Sequence, residues 1–187
     1  MWRGMTLQTG DLPEQMTLRT VSLGPEPVSH AWTMWRRGGS YDWKPLDRAL
    51  DQLQARRVEV VLVLPVSQYE DVHWTELVTE TVRHVGKRVS LFEFRASDNA
   101  DLERYLEYYE TGVWAVHQLG LNVHVGGPGL DWASEGVEAL IRRSSERNLP
   151  FHTVTWQVSV QDADDLRRSI DVVSQLTNQY PLDRMPN

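Results

Sequence analysis

The sequence contains no cysteine, which excludes disulfides, thiolate metal ligands and a cysteine nucleophile. Positive charge is also scarce. Nineteen Lys and Arg stand against 26 Asp and Glu, a formal charge of −7, whereas nonspecific binding to nucleic acid needs cations in surplus to neutralise phosphate. No apolar run approaches the ~20 residues that span a bilayer, so neither a nucleic-acid nor a membrane partner is expected. The opening "MWRGMTLQTGDLPEQM" lacks the apolar core of a secretory signal, which points to the cytoplasm. Two glycine patterns are missing as well. No GxGxxG follows the first strand and no GxxxxGK[ST] occurs, which disfavours a nucleotide-binding sheet. Histidines 73, 84, 117, 124 and 152 are scattered without metal-ligand spacing, so neither a metal nor a cofactor is expected.

What is present is a globular composition. The chain has 187 residues, 41% of them hydrophobic, enough for one domain with a substantial core. Eight tryptophans suit either core filling or stacking on sugar faces. Strand and helix signals alternate. "MTLRTVSLG" (16–24) reads as a strand. "WKPLDRALDQLQARR" (43–57) reads as a helix with Leu46, Leu50 and Leu53 on one face. "VEVVLVLP" (58–65) is apolar and β-branched, the pattern of a strand buried on both sides of a parallel sheet. Helices over 73–86, 101–120, 131–148 and 162–180 then alternate with strands over 89–94, 121–127 and 151–160. Five such strands with five helices predict a parallel α/β sheet, either doubly wound or an arc of a (β/α) barrel.

Four segments, taken in order, resemble the clan A glycosidase barrels, and most of all glycoside hydrolase family 39, which contains β-xylosidase. "GGSYDWKPLDRALDQLQARRVEVVLVLP" resembles that family's run from a G-x-Y-D-W turn into its third strand. "LFEFRASDNADLERYLEYYETGVWAV" resembles its fourth strand, acid/base loop and helix, and "LNVHVGGPGL" its fifth strand with a G-G-P turn. "PFHTVTWQVSVQDADDLRRSIDVV" resembles the sixth strand and its helix. The resemblance covers roughly residues 38 to 180. It implies an α/β fold, a partial TIM barrel of about five βα units, equivalent to strands two to six of eight. Residues 1–187 would form a single incomplete barrel domain. Strands one, seven and eight have no counterpart in this reading.

The same resemblance marks what has changed. Where the family's fourth strand ends in a W-N-E-P-like tetrad carrying the acid/base Glu, this chain has Arg95, Ala96, Ser97 and Asp98. Gln157 stands at the sixth-strand His and Ser159 at the Tyr two residues on. The nucleophilic Glu belongs to a seventh strand that "YPLDRMPN" does not supply. Retaining hydrolysis needs two carboxyl groups about 5–5.5 Å apart, and a serine hydroxyl is too weak an acid to replace one. No intact catalytic pair is therefore expected, with Asp98 the fallback at the Ser97 position.

Strand parity puts Glu93 and Arg95 on the barrel interior with Ser97, where pairing with each other offsets the cost of burying charge. His124, Thr155, Gln157 and Ser159 share that expectation. Trp32 and Trp35, in "HAWTMWRRGG", are the aromatic candidates for stacking on a saccharide, together with Trp156. The resemblance leaves two functions open. One is an inactive relative that binds a saccharide or a protein. The other is an active retaining hydrolase whose missing strands come from another chain. Either way the strand over 16–24 and the sixth-type strand become unpaired edges, which predicts a homo-oligomer or a complementary chain across them.

Overall fold

In chain order the elements are β1 (Gly4–Thr6), β2 (Thr20–Leu23), β3 (Trp35–Arg36), β4 (Ser40–Tyr41), α1 (Lys44–Ala55), β5 (Glu59–Pro65), α2 (Asp71–Val85), β6 (Leu91–Arg95), α3 (Leu102–Gln118), β7 (His124–Asp131), α4 (Glu135–Arg147), β8 (Thr153–Gln157) and α5 (Ala163–Gln179). They come from a computed structural model that describes residues 4–6, 20–23, 35–36, 40–66, 71–96, 101–131, 135–158 and 163–180. Six strands form one sheet in the order β1-β2-β5-β6-β7-β8, every neighbour parallel. The remaining two make a small antiparallel pair, with Trp35 opposite Tyr41.

Spatial order thus repeats chain order. A doubly wound sheet reverses at a switch point, and this one does not. Right-handed crossovers taken always in the same direction place the helices on one face and leave the other as the wall of a lumen. The architecture is an arc of a (β/α) barrel.

The strand count corrects the sequence reading. Gly4–Thr6 pairs with β2, Gly4 opposite Thr20 and Thr6 opposite Ser22, in the place of a first barrel strand. Three residues are too few to show a period of two, so the pattern alone could not reveal them. The strand expected over 16–24 is described only as Thr20–Leu23, and it is internal. Among the described residues the outer strands are β1 and β8.

The helix side of the sheet holds the core. Val60, Leu62 and Leu64 of β5 alternate outward with Phe92 and Phe94 of β6, and Leu46, Leu50 and Leu53 of α1 join the same buried cluster. Trp74 of α2 is wholly buried. Its Nε1 donates to the Tyr108 carbonyl at 2.8 Å, and its ring meets Phe94 edge-on at 5.3 Å. α3 approaches so closely here that a Cβ on Gly112 would lie 2.8 Å from Phe94 Cε2. Trp74→Phe should cost about 1–3 kcal/mol, because it opens a void and removes the bond from the indole to the Tyr108 carbonyl. Urea denaturation of the two proteins measures it.

Candidate functional site

The lumen face of β6 carries Leu91, Glu93 and Arg95, since Phe92 and Phe94 take the opposite side. Glu93 is only 5% exposed and Arg95 28%. A charge so placed needs a partner, and Arg95 Nε donates to Glu93 Oε1 at 2.5 Å. β7 presses on this pair. Gly129 has φ +67°, and a Cβ there would stand 2.7 Å from Glu93 Oε1 and 2.8 Å from Arg95 Nε. A residue without a side chain is what lets the backbone pass. From β8, Gln157 Nε2 donates to the Gly129 carbonyl at 2.7 Å. Three strands are therefore tied together by Glu93, Arg95, Gly129 and Gln157 near their C-terminal ends, the end at which barrel enzymes build their sites.

β7 runs further than its glycines suggest. The sequence places a turn after residue 127, whereas the strand continues to Asp131. Proline is tolerated within it because the pairing with β8 shifts between Pro128 and Leu130, and a bulge is where a strand accepts proline. The extension sets Asp131 opposite Gln157, in step with the lumen residues Thr153 and Thr155. Asp131 is thus a carboxylate at the strand-end rim that sequence reading missed. The signal available was the apolar Leu130 continuing the strand beyond the glycines.

The structure disposes of the other candidates differently. Ser97, Asp98, Trp32 and Ser159 lie outside the described residues. Trp35 falls in β3. Thr155 shares the lumen parity, and its buried hydroxyl has no hydrogen-bond partner among the described residues. Two placements are corrections. Trp156 pairs in register with Leu130, and with Val154 it packs against the core cluster, on the helix side of the sheet. Plain alternation along β8 sets this parity, opposite to that of Thr155 and Gln157. His124 has lumen parity but opens β7, opposite Leu91, the first residue of β6. It is therefore exposed at the N-terminal end of the strands, away from the Glu93–Arg95 group, and it stacks on His152 with ring centroids 4.7 Å apart.

A general acid must offer a proton to the leaving oxygen. Glu93 Oε1 instead accepts from Arg95, within the strand and not at its end. Behind the sheet, Tyr105 donates to the Phe94 carbonyl at 2.9 Å. Burial first, then Tyr109 and then Glu93, push its phenol well above the ordinary tyrosine value, so it remains a donor. Gly127 makes room for this bond, because a Cβ there would meet the Tyr105 hydroxyl at 2.9 Å. Among the described residues no group of three or more His, Asp or Glu could hold a metal ion, and no helix is long and apolar enough to cross a membrane.

No protein-family model matches this chain, and no curated protein matches it. Solved structures do. A glucosidase from Croceicoccus marinus matches 90% of the chain with TM-score 0.70 and 15% identity. An endo-β-1,4-glucanase from Xanthomonas axonopodis pv. citri matches 88% with TM-score 0.66 and 11% identity. The fold is that of part of a (β/α) barrel. A psychrophilic family 10 endo-β-1,4-xylanase matches 84% with TM-score 0.65 and 10% identity. The chain spans 44%, 62% and 62% of these three proteins, so it corresponds to part of such a barrel. At these identities the likeness concerns the fold alone.

Proposed function

We propose that this chain is a glycoside hydrolase-like protein, of the family 39 type, that binds a saccharide without cleaving it. The observation that carries the reading is the Glu93–Arg95 ion pair. The Glu93 carboxylate is paired with a guanidinium within the strand and packed against Gly129, so it is not presented at the strand end, where hydrolysis would need a carboxyl group. Ser97 at the position of the family's acid/base supports the same reading. Asp131 and Gln157 at the rim, together with the Arg95 guanidinium, offer the planar polar groups that hydrogen-bond sugar hydroxyls. The experiment is a pair of measurements on the purified chain. Nitrophenyl β-xylosides and β-glucosides should release no nitrophenol above buffer. Titration calorimetry with xylo- and gluco-oligosaccharides should give heats, and Gln157→Ala should weaken the affinity about fivefold, the effect of roughly one hydrogen bond. Flat heats across the panel remove saccharide binding, and turnover at enzyme speed removes inactivity.

One observation favours a second reading, an active retaining hydrolase completed by another chain. Among the described residues β1 pairs on β2 alone and β8 on β7 alone, leaving strand edges that further strands would satisfy. Nitrophenol release that appears only with a completing chain, and disappears with Asp98→Asn, is the result this reading requires.

A further inference from the structure

The N-terminal end of the β7–β8 pair is built unlike the rest of the sheet. His152 N–H donates to the Val125 carbonyl at 3.0 Å. Val125 N–H is directed to the imidazole of the same residue, His152 Nδ1, at 3.1 Å. A side-chain nitrogen thus takes the place of the carbonyl that a parallel ladder would otherwise supply. The His124 ring lies nearly parallel to the His152 ring, at 17° and 4.7 Å. Behind His152 is a cavity of about 130 Å³ lined by Val113, Val116, Val123, Asn122 and Pro150, with His117 from α3.

We propose that His124 and His152 form an acid-sensitive latch on β8, closed when the His152 ring is neutral and loosened when it is protonated. The bond fixes the chemistry. Nδ1 accepts from a backbone donor only while it carries no proton, and once protonated it faces the Val125 N–H as a second donor. No charged side chain around it compensates. β7 contributes His124, α3 contributes His117, and the segments over 121–123 and 150–151 contribute no charged side chain, so a new cation meets two more histidines and no carboxylate in that cavity. Burial first, and then His124, lower the basicity of His152 from its ordinary value, and they outweigh a backbone hydrogen bond with Val125 that acts to raise it. The folded state therefore prefers the neutral ring. Its stabilisation is complete above the ordinary histidine value of about 6.5 and is lost as pH falls from there through the lower folded value.

The test combines amide exchange with imidazole ¹⁵N spectroscopy on the whole chain. At pH 7.5 the His152 Nδ1 should show the shift of an unprotonated acceptor. On moving to pH 5.5, one unit below the ordinary histidine value, protection of the Val125 amide should fall relative to that of Phe92, by up to about tenfold. His152→Asn, which keeps an acceptor oxygen near the Nδ1 position and does not titrate, should abolish that fall. His124→Gln should reduce it. A proton on Nδ1 at pH 7.5, unchanged relative protection at pH 5.5, or the same fall in His152→Asn would each overturn the proposal. Should His152→Asn not fold, the two wild-type measurements decide.

Discussion

Glu93→Ala is expected to destabilise the protein by about 3 kcal/mol, the lower end of the cost of removing one member of a buried ion pair. The carboxylate is almost wholly buried and Arg95 is held against it. Without Glu93 the guanidinium would lose its partner in the sheet and turn toward water, through the exposure it already has. The double replacement Glu93→Leu with Arg95→Met should be close to neutral, because it removes both charges and their desolvation together. Chemical denaturation of the two single variants and the double variant yields the coupling. A Glu93→Ala protein within 0.5 kcal/mol of wild type, on the order of an ordinary surface change, would show that the pair does not anchor the lumen. Glu93 would then be free for chemistry.

Gly126→Ala should be at least as damaging, about 3 kcal/mol or more, and should detach β8. A Cβ at this position would lie 2.3 Å from the Thr153 carbonyl oxygen, and the obstacle is backbone, which cannot swing aside as a flexible side chain can. The only relief is separation of β7 from β8, at the cost of the ladder that joins them. Gly120→Ala is the control. It has φ +62° and nothing within 4 Å of the added carbon, so it should cost only the left-handed strain of about 1–2 kcal/mol. Thermal melts rank the two, and equal losses would mean that β7 and β8 are not so closely apposed.

Much of this fold can be read from local pattern. The Leu46, Leu50 and Leu53 stripe of α1 is buried as its period of 3.6 requires, and the unbroken apolar run of β5 fits a strand covered on both faces. The lumen side of Glu93 and Arg95 follows from the period of two along a strand. Pattern fails where length or irregularity removes the period. β1 is three residues long. In β7 four glycine and proline positions look like a turn, yet they are strand, selected by close approach of Thr153, Phe94 and the Glu93–Arg95 pair. That misreading hid Asp131, since the extra residue changes parity along β7 itself and sets Leu130 and Asp131 opposite Trp156 and Gln157.

By itself the sequence determined the βα alternation, the absence of thiol chemistry, and the pairing of a buried acid with a partly buried base two residues apart on one strand. Those are properties of neighbours along the chain. Only the tertiary structure decided that the strands follow one another without reversal, that β1 rather than β2 is an outer strand, that Gly129 and Gln157 complete the Glu93–Arg95 group, and that His124 meets His152 at the opposite end of the sheet. Each of these depends on contacts between segments distant in sequence, whose register is set by crossover geometry and close packing and leaves no mark in local composition.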